Sequence, residues 1–436
     1  MKVSFFGAAD EVGRSCIMVS TDSTAILLDA GVKLGSEEEY PVIEDSQLRR
    51  IDGIFISHAH LDHTGYLPHI YTAGYKGDTF ATKPTIELTN VLLSDYIRIS
   101  NPKNISKEGM AALSSHFKII EYGKAFKFRD LTIKFIPAGH ILGSALICVS
   151  DGRSKLVYTG DINLMKTRLL DGADLKNLEA DTLITESTYG AKKDIFPREH
   201  DTEQRLLRSV NETIKAGGKV MVPSFAVGRA QEVLFIFDDY MNSGVLHKVP
   251  LYVDGMINKA LRIHRHNVIY CRKEMQSRIL MSDYDPFKSP NFTPVETKGQ
   301  RNKIVAGSES SIVVTTSGML SGGPIMFYLS KLGNNHMNKL ILVGYQAEGT
   351  LGRAMQDGAK TININGSDVR VQLDVETYHL SAHADRVQLE SIPAKIRGVK
   401  TVFIVHGEHN KAEELREALA QKYHPVVPKL GESFSI

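Results

Sequence analysis

The sequence predicts an α/β protein in which an open, mostly parallel α/β domain is inserted into a strand-rich domain of stacked mixed sheets. Three observations carry that expectation. The first third of the chain passes from strand to strand with few helices between, which favours packed mixed sheets over a doubly wound unit. After about Tyr189 strand and helix alternate, as in a parallel sheet covered by helices. From about Val369 the strand-rich style returns, so the closing segment is expected to rejoin the first domain. The expected boundaries are 1–190 and 371–436 for the strand-rich domain and 191–370 for the insert. A chain of 436 residues is long for one core, and two domains is the natural division.

In order, the segments 3–6, 16–20, 25–29, 53–57, 131–136, 145–149 and 155–159 read as strands, several ending in Gly or Asp turns. Residues 200–216 read as a helix, with Asp201 or Thr202 near its start and Gly217 just past its end. Strand 219–222, helix 229–241, strand 250–253, a helical stretch after Gly255, and strands 311–316 and 339–343 follow. Open sheets of this kind bind ligands beyond the carboxyl ends of their strands. The loops there are Pro223-Ser224-Phe225, Asp254-Gly255, Thr316-Ser317-Gly318 and Tyr345-Gln346-Ala347-Glu348-Gly349. Strand 401–405 then leads into His406-Gly407-Glu408.

Composition is that of an ordinary globular protein, and a net charge of +2 leaves any anionic partner to a local patch. Cys16, Cys148 and Cys271 lie far apart without Cys-x-x-Cys spacing, as expected of reduced thiols in a cytoplasmic protein. The chain opens directly on a strand-like segment. It shows no secretory signal pattern and no apolar run of spanning length, so no membrane association is expected.

The densest chemical signal is His58-Ala59-His60-Leu61-Asp62-His63, four potential metal ligands within six residues after the apolar run Ile54-Phe55-Ile56. Imidazole nitrogen with carboxylate oxygen suits Zn²⁺, with Mn²⁺ or Fe²⁺ as alternatives. His58 and His60 can point to one side of an extended loop while Asp62 and His63 aim elsewhere, so two neighbouring ions are expected. Three further residues stand just after expected strands: His140 in Ala138-Gly139-His140, Asp161 in Thr159-Gly160-Asp161, and His406. Polar residues at strand ends sit where loops gather over a site.

With Asp29 in Leu27-Leu28-Asp29-Ala30-Gly31, the motif order resembles the metallo-β-lactamase fold superfamily. That resemblance implies an αββα sandwich. It assigns one metal to His58, His60 and His140 and a second to Asp62 and His63, with Asp161 bridging and Asp29 supporting the ligands. Glu186 in Thr185-Glu186-Ser187-Thr188-Tyr189-Gly190, His383 in Leu380-Ser381-Ala382-His383-Ala384-Asp385, and His406 resemble motifs A, B and C of the β-CASP nucleases. The inserted, mostly parallel α/β domain is what that group carries. Val222-Pro223-Ser224-Phe225-Ala226-Val227-Gly228-Arg229, Ser317-Gly318-Met319 and Gly344-Tyr345-Gln346 resemble the cleavage-and-polyadenylation specificity factor endonucleases and their prokaryotic relatives. A histidine at motif C is typical of the RNA-processing branch.

The resemblance therefore implies a zinc-dependent ribonuclease with two Zn²⁺ per chain, Mn²⁺ being the alternative. It implies single-stranded RNA as substrate, a homodimer, and a role in RNA processing or decay as an endonuclease, a 5′-to-3′ exonuclease, or both. The expected catalytic residues are Asp62, Glu186 and His383. Two metals about 3.5–4 Å apart clamp phosphate oxygens and activate a water. His383 is the expected acid for the leaving 3′-oxygen, with Glu186 holding its ring, which yields 5′-phosphate and 3′-hydroxyl ends. The chain is expected to lack the KH extension of some archaeal relatives and the C-terminal extension of ribonuclease J, as a short archaeal or bacterial enzyme would. Two alternatives are a small-molecule metallohydrolase and a catalytically silent RNA-binding subunit.

Weaker signals lie in the insert and beside the motifs. Residues 259–278 carry six Lys/Arg against one Glu, enough for a stripe that contacts phosphates. Ser317 and Ser381, each beside small residues, are candidate phosphate contacts. Arg229 and Arg353 are candidates for docking in the core or on an RNA backbone. Tyr345, Tyr66 and Tyr189 offer stacking surfaces or ordinary packing. His379 and His409 are expected to support polar structure.

Overall fold

The computed structural model describes residues 1–436 apart from 36, 101, 103, 282, 283 and 365. The chain forms two units, Met1–Ile195 with Ala382–Ile436, and Phe196–Ser381.

The first unit holds two seven-stranded sheets. One runs Ser433–Ser435, Lys2–Phe5, Ile17–Ser20, Ala25–Leu28, Gly53–Phe55, Asp78–Ala81, Phe117–Ile119. The other runs His424–Val426, Thr401–Val405, Thr182–Glu186, Lys155–Tyr158, Ala145–Ser150, Leu131–Pro137, Ala125–Phe128. Alternation along the strands assigns the faces. Val3, Phe5, Ile17, Val19, Ile26 and Leu28 of the first sheet share one core with Ile133, Phe135, Ile147, Val149 and Phe403 of the second. Leu27, Ile54 and Ile56 turn to the opposite side and pack with Leu67, Ile70, Leu93 and Leu113. On the outer face of the second sheet Leu146, Val157 and Leu183 meet Leu389, Ile392, Leu415 and Leu419. The result is four layers, helix, sheet, sheet, helix: an αββα sandwich. Fully buried Phe55 stacks on partly buried Phe80 at 4.8 Å between ring centroids, and full burial of a side chain such as Phe55 is worth roughly 1.5–3 kcal/mol.

Helices Lys83–Ser100 and Lys107–His116 depart from the strand-after-strand expectation. They join Asp78–Ala81 to Phe117–Ile119, which pair in parallel, and parallel neighbours require a long crossover. Elsewhere the expected strands of this unit lie within a residue or two of the observed ones.

The second unit is a six-stranded sheet in the order Phe292–Val295, Leu251–Asp254, Ser311–Thr315, Lys219–Pro223, Lys339–Leu342, Asp374–Thr377, with every pairing parallel. Ser311–Thr315, Lys219–Pro223 and Lys339–Leu342 are buried along their whole length, which is why they read as continuous apolar runs. The two edge strands escaped the sequence reading. Phe292–Val295 is half-exposed and holds Pro294, tolerable only where no neighbour needs its missing N–H. Asp374–Thr377 is polar and half-exposed, and its pairing with Lys339–Leu342 ties the segment before Ser381 to this unit.

Candidate metal centre

Most of the ligand candidates in the first unit stand where a strand ends, while His383 lies in the loop ahead of helix Arg386–Lys395. Gly53–Phe55 runs into Ser57 and His58, and His60 caps the single-turn helix Leu61–Thr64 that carries Asp62 and His63. His140 follows Leu131–Pro137, Asp161 follows Lys155–Tyr158, Glu186 closes Thr182–Glu186, and His406 follows Thr401–Val405. Gly160 turns the chain ahead of Asp161 at φ 52°, and a Cβ there would lie 2.6 Å from the Ser57 side chain. Only glycine lets these two loops close up.

The side chains converge in three groups. His58, His60, His140 and Asp161 offer ligand atoms within 4.8 Å of one another, and so do Asp62, His63, Asp161 and His406, and Asp161, Glu186 and His383. Asp161 belongs to all three, and its two oxygens are divided between the larger groups. Oδ2 lies 3.3 Å from His58 Nε2 and 3.5 Å from His140 Nε2. Oδ1 lies 3.4 Å from His63 Nε2 and 3.5 Å from His406 Nδ1. His406 Nε2 is 3.3 Å from Asp62 Oδ2.

The surrounding bonds decide which ring nitrogens face inward. His140 Nδ1 donates to the Ala382 carbonyl at 3.0 Å, leaving Nε2 for the cluster. His63 Nδ1 donates to Asp29 Oδ2 at 2.7 Å, with the same consequence. Asp29 is itself held by the Ser57 backbone N–H at 2.7 Å, the Ser57 hydroxyl at 2.7 Å and the Tyr158 hydroxyl at 2.8 Å. Asp29 and His406 sit at φ 60° and 50°, a region costing roughly 1–3 kcal/mol for a residue with a Cβ. The bonds Asp29 N to Phe55 O and His406 N to Ala8 O hold them there.

Electrostatics prepares the group for a cation. Burial depresses the pKa of His58, takes His60 down to about 3, and, with His383 nearby, takes His140 well below the usual histidine value. These three rings are neutral at pH 7, the form that ligates. Burial works against ionisation of Asp62 and Asp161, but the surrounding histidines more than reverse it and hold both carboxyls far down. Burial likewise opposes charge on His63 and His406, and the adjacent carboxylates overcome it and raise both. His58 Nε2 and Asp161 Oδ1 are buried and make no hydrogen bond, a costly state for polar atoms that a cation would relieve. Three neutral imidazoles, ionised carboxylates and unsatisfied buried ligand atoms fit a divalent transition metal, whose charge would displace the protons that the carboxylates hold on His63 and His406.

Glu186 is fully buried, accepts from the Ile162 N–H at 2.8 Å, and receives His383 Nδ1 on both oxygens at 3.0 and 2.9 Å. Burial pulls His383 down, but Glu186 and Asp161 carry it up to about 9. That leaves Nε2 as the ring's other proton-bearing atom.

Comparison with known proteins agrees with this architecture. Residues 18–188 match the metallo-beta-lactamase superfamily domain, 230–355 the Beta-Casp domain, and 368–428 the Zn-dependent metallo-hydrolase RNA specificity domain. Fold and cluster together define a metallo-β-lactamase-fold hydrolase with a β-CASP insertion. The chain is 36% identical over 441 residues to transcription termination factor FttA of Methanocaldococcus jannaschii, an alignment covering 97% of this chain and 69% of that one. To the protein of the same name in Methanococcus maripaludis it is 37% identical over 433 residues, covering 95% and 68%. The chain belongs to the β-CASP family of which these archaeal proteins, akin to the cleavage-and-polyadenylation specificity factor, are members. A crystal structure of a protein of unknown function from Enterococcus faecalis V583 shares the fold with a TM-score of 0.57, at 14% identity over 99% of both chains.

The remaining candidates are Ser317, Tyr345, Ser381 and Arg229, all in the second unit. Arg229 is buried and donates to the Leu380 carbonyl at 2.6 Å. Ser317 accepts from Ser321 N at 3.0 Å and donates to the Gly322 carbonyl at 3.2 Å. Tyr345 and Ser381 are half-buried. Arg353 pairs with Asp357, His379 stacks on Phe196, and His409 Nδ1 donates to Asp10. Tyr66 stacks on His69 and packs against Tyr40, while Lys411 lies over the Tyr189 ring. The sequence reading missed Ser57 and Tyr158, which hold Asp29. Their signal was available: each is a polar residue at the end of an apolar strand beside a ligand motif.

Proposed function

We propose that the chain is a zinc-dependent ribonuclease that hydrolyses phosphodiester bonds of single-stranded RNA, leaving 5′-phosphate and 3′-hydroxyl ends. One observation carries the reading: the two oxygens of Asp161 face two separate sets of histidines, the arrangement a bridging carboxylate needs. His58, His60 and His140 would hold one ion and Asp62, His63 and His406 the other. A pair of zinc ions there, or of manganese ions, would supply positive charge to the scissile phosphate and acidify a water for attack.

The chain's own groups do the rest. Asp29, pinned by Ser57 and Tyr158, keeps His63 turned toward Asp161. Glu186 holds Nδ1 of His383, so His383 gives its Nε2 proton to the departing 3′-oxygen. The RNA-specificity match over 368–428 supports RNA as the polymer. The name borne by its relatives, transcription termination factor, extends the setting from RNA processing or decay to the 3′ end of a nascent transcript. Among the described residues no helix is long and apolar enough to cross a membrane, which fits action in the cytoplasm, and a homodimer is the proposed assembly.

The test is zinc-loaded protein with a 5′-labelled, 5′-monophosphorylated RNA, and Asp161→Ala as control for contaminating nuclease. Cleavage by the unaltered chain alone supports the ribonuclease. Released labelled mononucleotide would mean a 5′ exonuclease, and longer discrete fragments an endonuclease. Intact RNA with bound metal would sink the reading and leave an RNA-binding subunit or a small-molecule hydrolase.

A further inference from the structure

The basic run at 259–278 is not one surface, because the structure divides its cations into two kinds. Arg265 is paired with Asp285, Arg272 with Glu274, and Arg278 with Asp239. Lys259, Arg262 and Lys273 are exposed and make no ion pair among the described residues. Lys259 and Arg262 share helix Ile257–His266 with exposed His266. Spacings of three and four put the three on one face, over about 10 Å of helix axis. The opposite face, Ile257, Ala260, Leu261 and His264, is buried. Like charges three apart repel, and within 258–278 the one acid, Glu274, is already taken by Arg272.

We propose that this outward face of helix Ile257–His266 binds the phosphates of single-stranded RNA, a contact outside the histidine–aspartate clusters. It rests on the RNA reading above and adds to it a second place where the polymer is held. Charge favours RNA, since Lys and Arg on an open face meet successive phosphates without reading bases. A protein partner fits less well. Binding hot spots are enriched in Trp, Tyr and Arg packed in desolvated pockets, and of the exposed positions of this helix, Lys259, Arg262 and His266, only Arg262 is of that kind.

The experiment uses the full chain, metal-loaded, with a labelled oligouridine carrying phosphorothioate linkages that resist cleavage, titrated over a salt series. Lys259→Gln/Arg262→Gln should lower the slope of log affinity against log salt by about 1.4, or about 0.7 per phosphate lost. At about 0.1 M salt the same two contacts amount to about 25-fold in affinity. Arg262→Lys, which keeps the charge, should retain the slope. Lys127→Gln/Lys176→Gln, which removes two exposed lysines of the first unit outside the RNA-specificity match, should leave slope and affinity close to those of the unaltered chain. An unchanged slope in the first variant overturns the proposal alone and hands the face to an acidic protein. An equal fall in both double variants overturns it as a general charge effect. No RNA binding by the unaltered chain overturns it together with the ribonuclease reading.

Discussion

The two units treat their buried charges in opposite ways. In the second, buried Asp254 and Asp238 and half-buried Glu376 are closed off by neighbours. Asp254 is gripped by Arg301 at 2.7 and 2.8 Å and by the Tyr328 hydroxyl at 2.8 Å. Asp238 accepts from Tyr284, Ser289 and Asn291, and Glu376 from Lys339, Ser209 and Tyr378. In the first, supporting residues are equally well bonded, but their effect is to leave inward ligand atoms unsatisfied: His58 Nε2 and Asp161 Oδ1. Satisfied networks keep a fold in one shape, whereas a converging set with open valences is a site for something else. Charge burial alone does not separate the two; what the last lone pair meets does.

That contrast can be broken from either side. The largest effect should come from Asp161→Ala, which removes the residue common to all three groups. Metal content measured by atomic emission should fall, and RNA cleavage should drop by more than ~10³-fold, several kcal/mol of transition-state stabilisation. Full metal content in that variant would exclude Asp161 from the bridging role proposed for it. Next, His383→Ala should lower kcat about 10²–10⁴-fold while the metal stays bound. Undiminished turnover there would exclude His383 as the acid.

On the other side, Asp254→Asn leaves Arg301 without its charge partner. It should reduce stability by about 2 kcal/mol in urea titrations and leave metal content as it was. Metal loss in this variant would show that the second unit's networks are not purely structural. A smaller and sharper effect is expected of Tyr158→Phe, which takes one donor from Asp29. Zinc affinity, read by competition with a chelator, should weaken about tenfold, the low end for residues that hold a ligand in place. Unchanged affinity would mean that Ser57 alone orients Asp29.

The smallest effect concerns acid. Burial raises the Glu376 carboxyl, but its bonds to Lys339, Ser209 and Tyr378 bring it down from 4.5 to about 2. A carboxyl lowered by folding stabilises the native state above about pH 4.5. That contribution fades as pH falls towards about 2. Glu376→Gln should therefore flatten the acid limb of a pH-stability curve across that window, and an unaltered limb would assign the acid sensitivity to other groups.

Much of this was legible because it is local in the chain. His58, His60, Asp62 and His63 lie within six residues, and His140, Asp161 and His406 each follow an apolar strand, so type and placement could be read directly; the strand Thr182–Glu186 that Glu186 closes was not among the expected ones. What escaped is long-range. Helices Lys83–Ser100 and Lys107–His116 exist because two parallel neighbours need a crossover, and strand direction is not written in hydrophobic pattern. The edge strands Phe292–Val295 and Asp374–Thr377 carry polar residues because one side meets solvent. The basic run at 259–278 looked uniform until Asp239 and Asp285, distant in sequence or in loops, proved to neutralise two of its arginines.

By itself the sequence determined which ligand types exist, in what order and at which strand ends, since these follow from residue identity and an apolar period. Only the tertiary structure decided which atom of each points where. Asp29 turns His63, the Ala382 carbonyl turns His140, and Asp161 offers one oxygen to each set. A ring's orientation and tautomer are set by the partner of its other nitrogen, and for His140 that partner is 242 residues away along the chain.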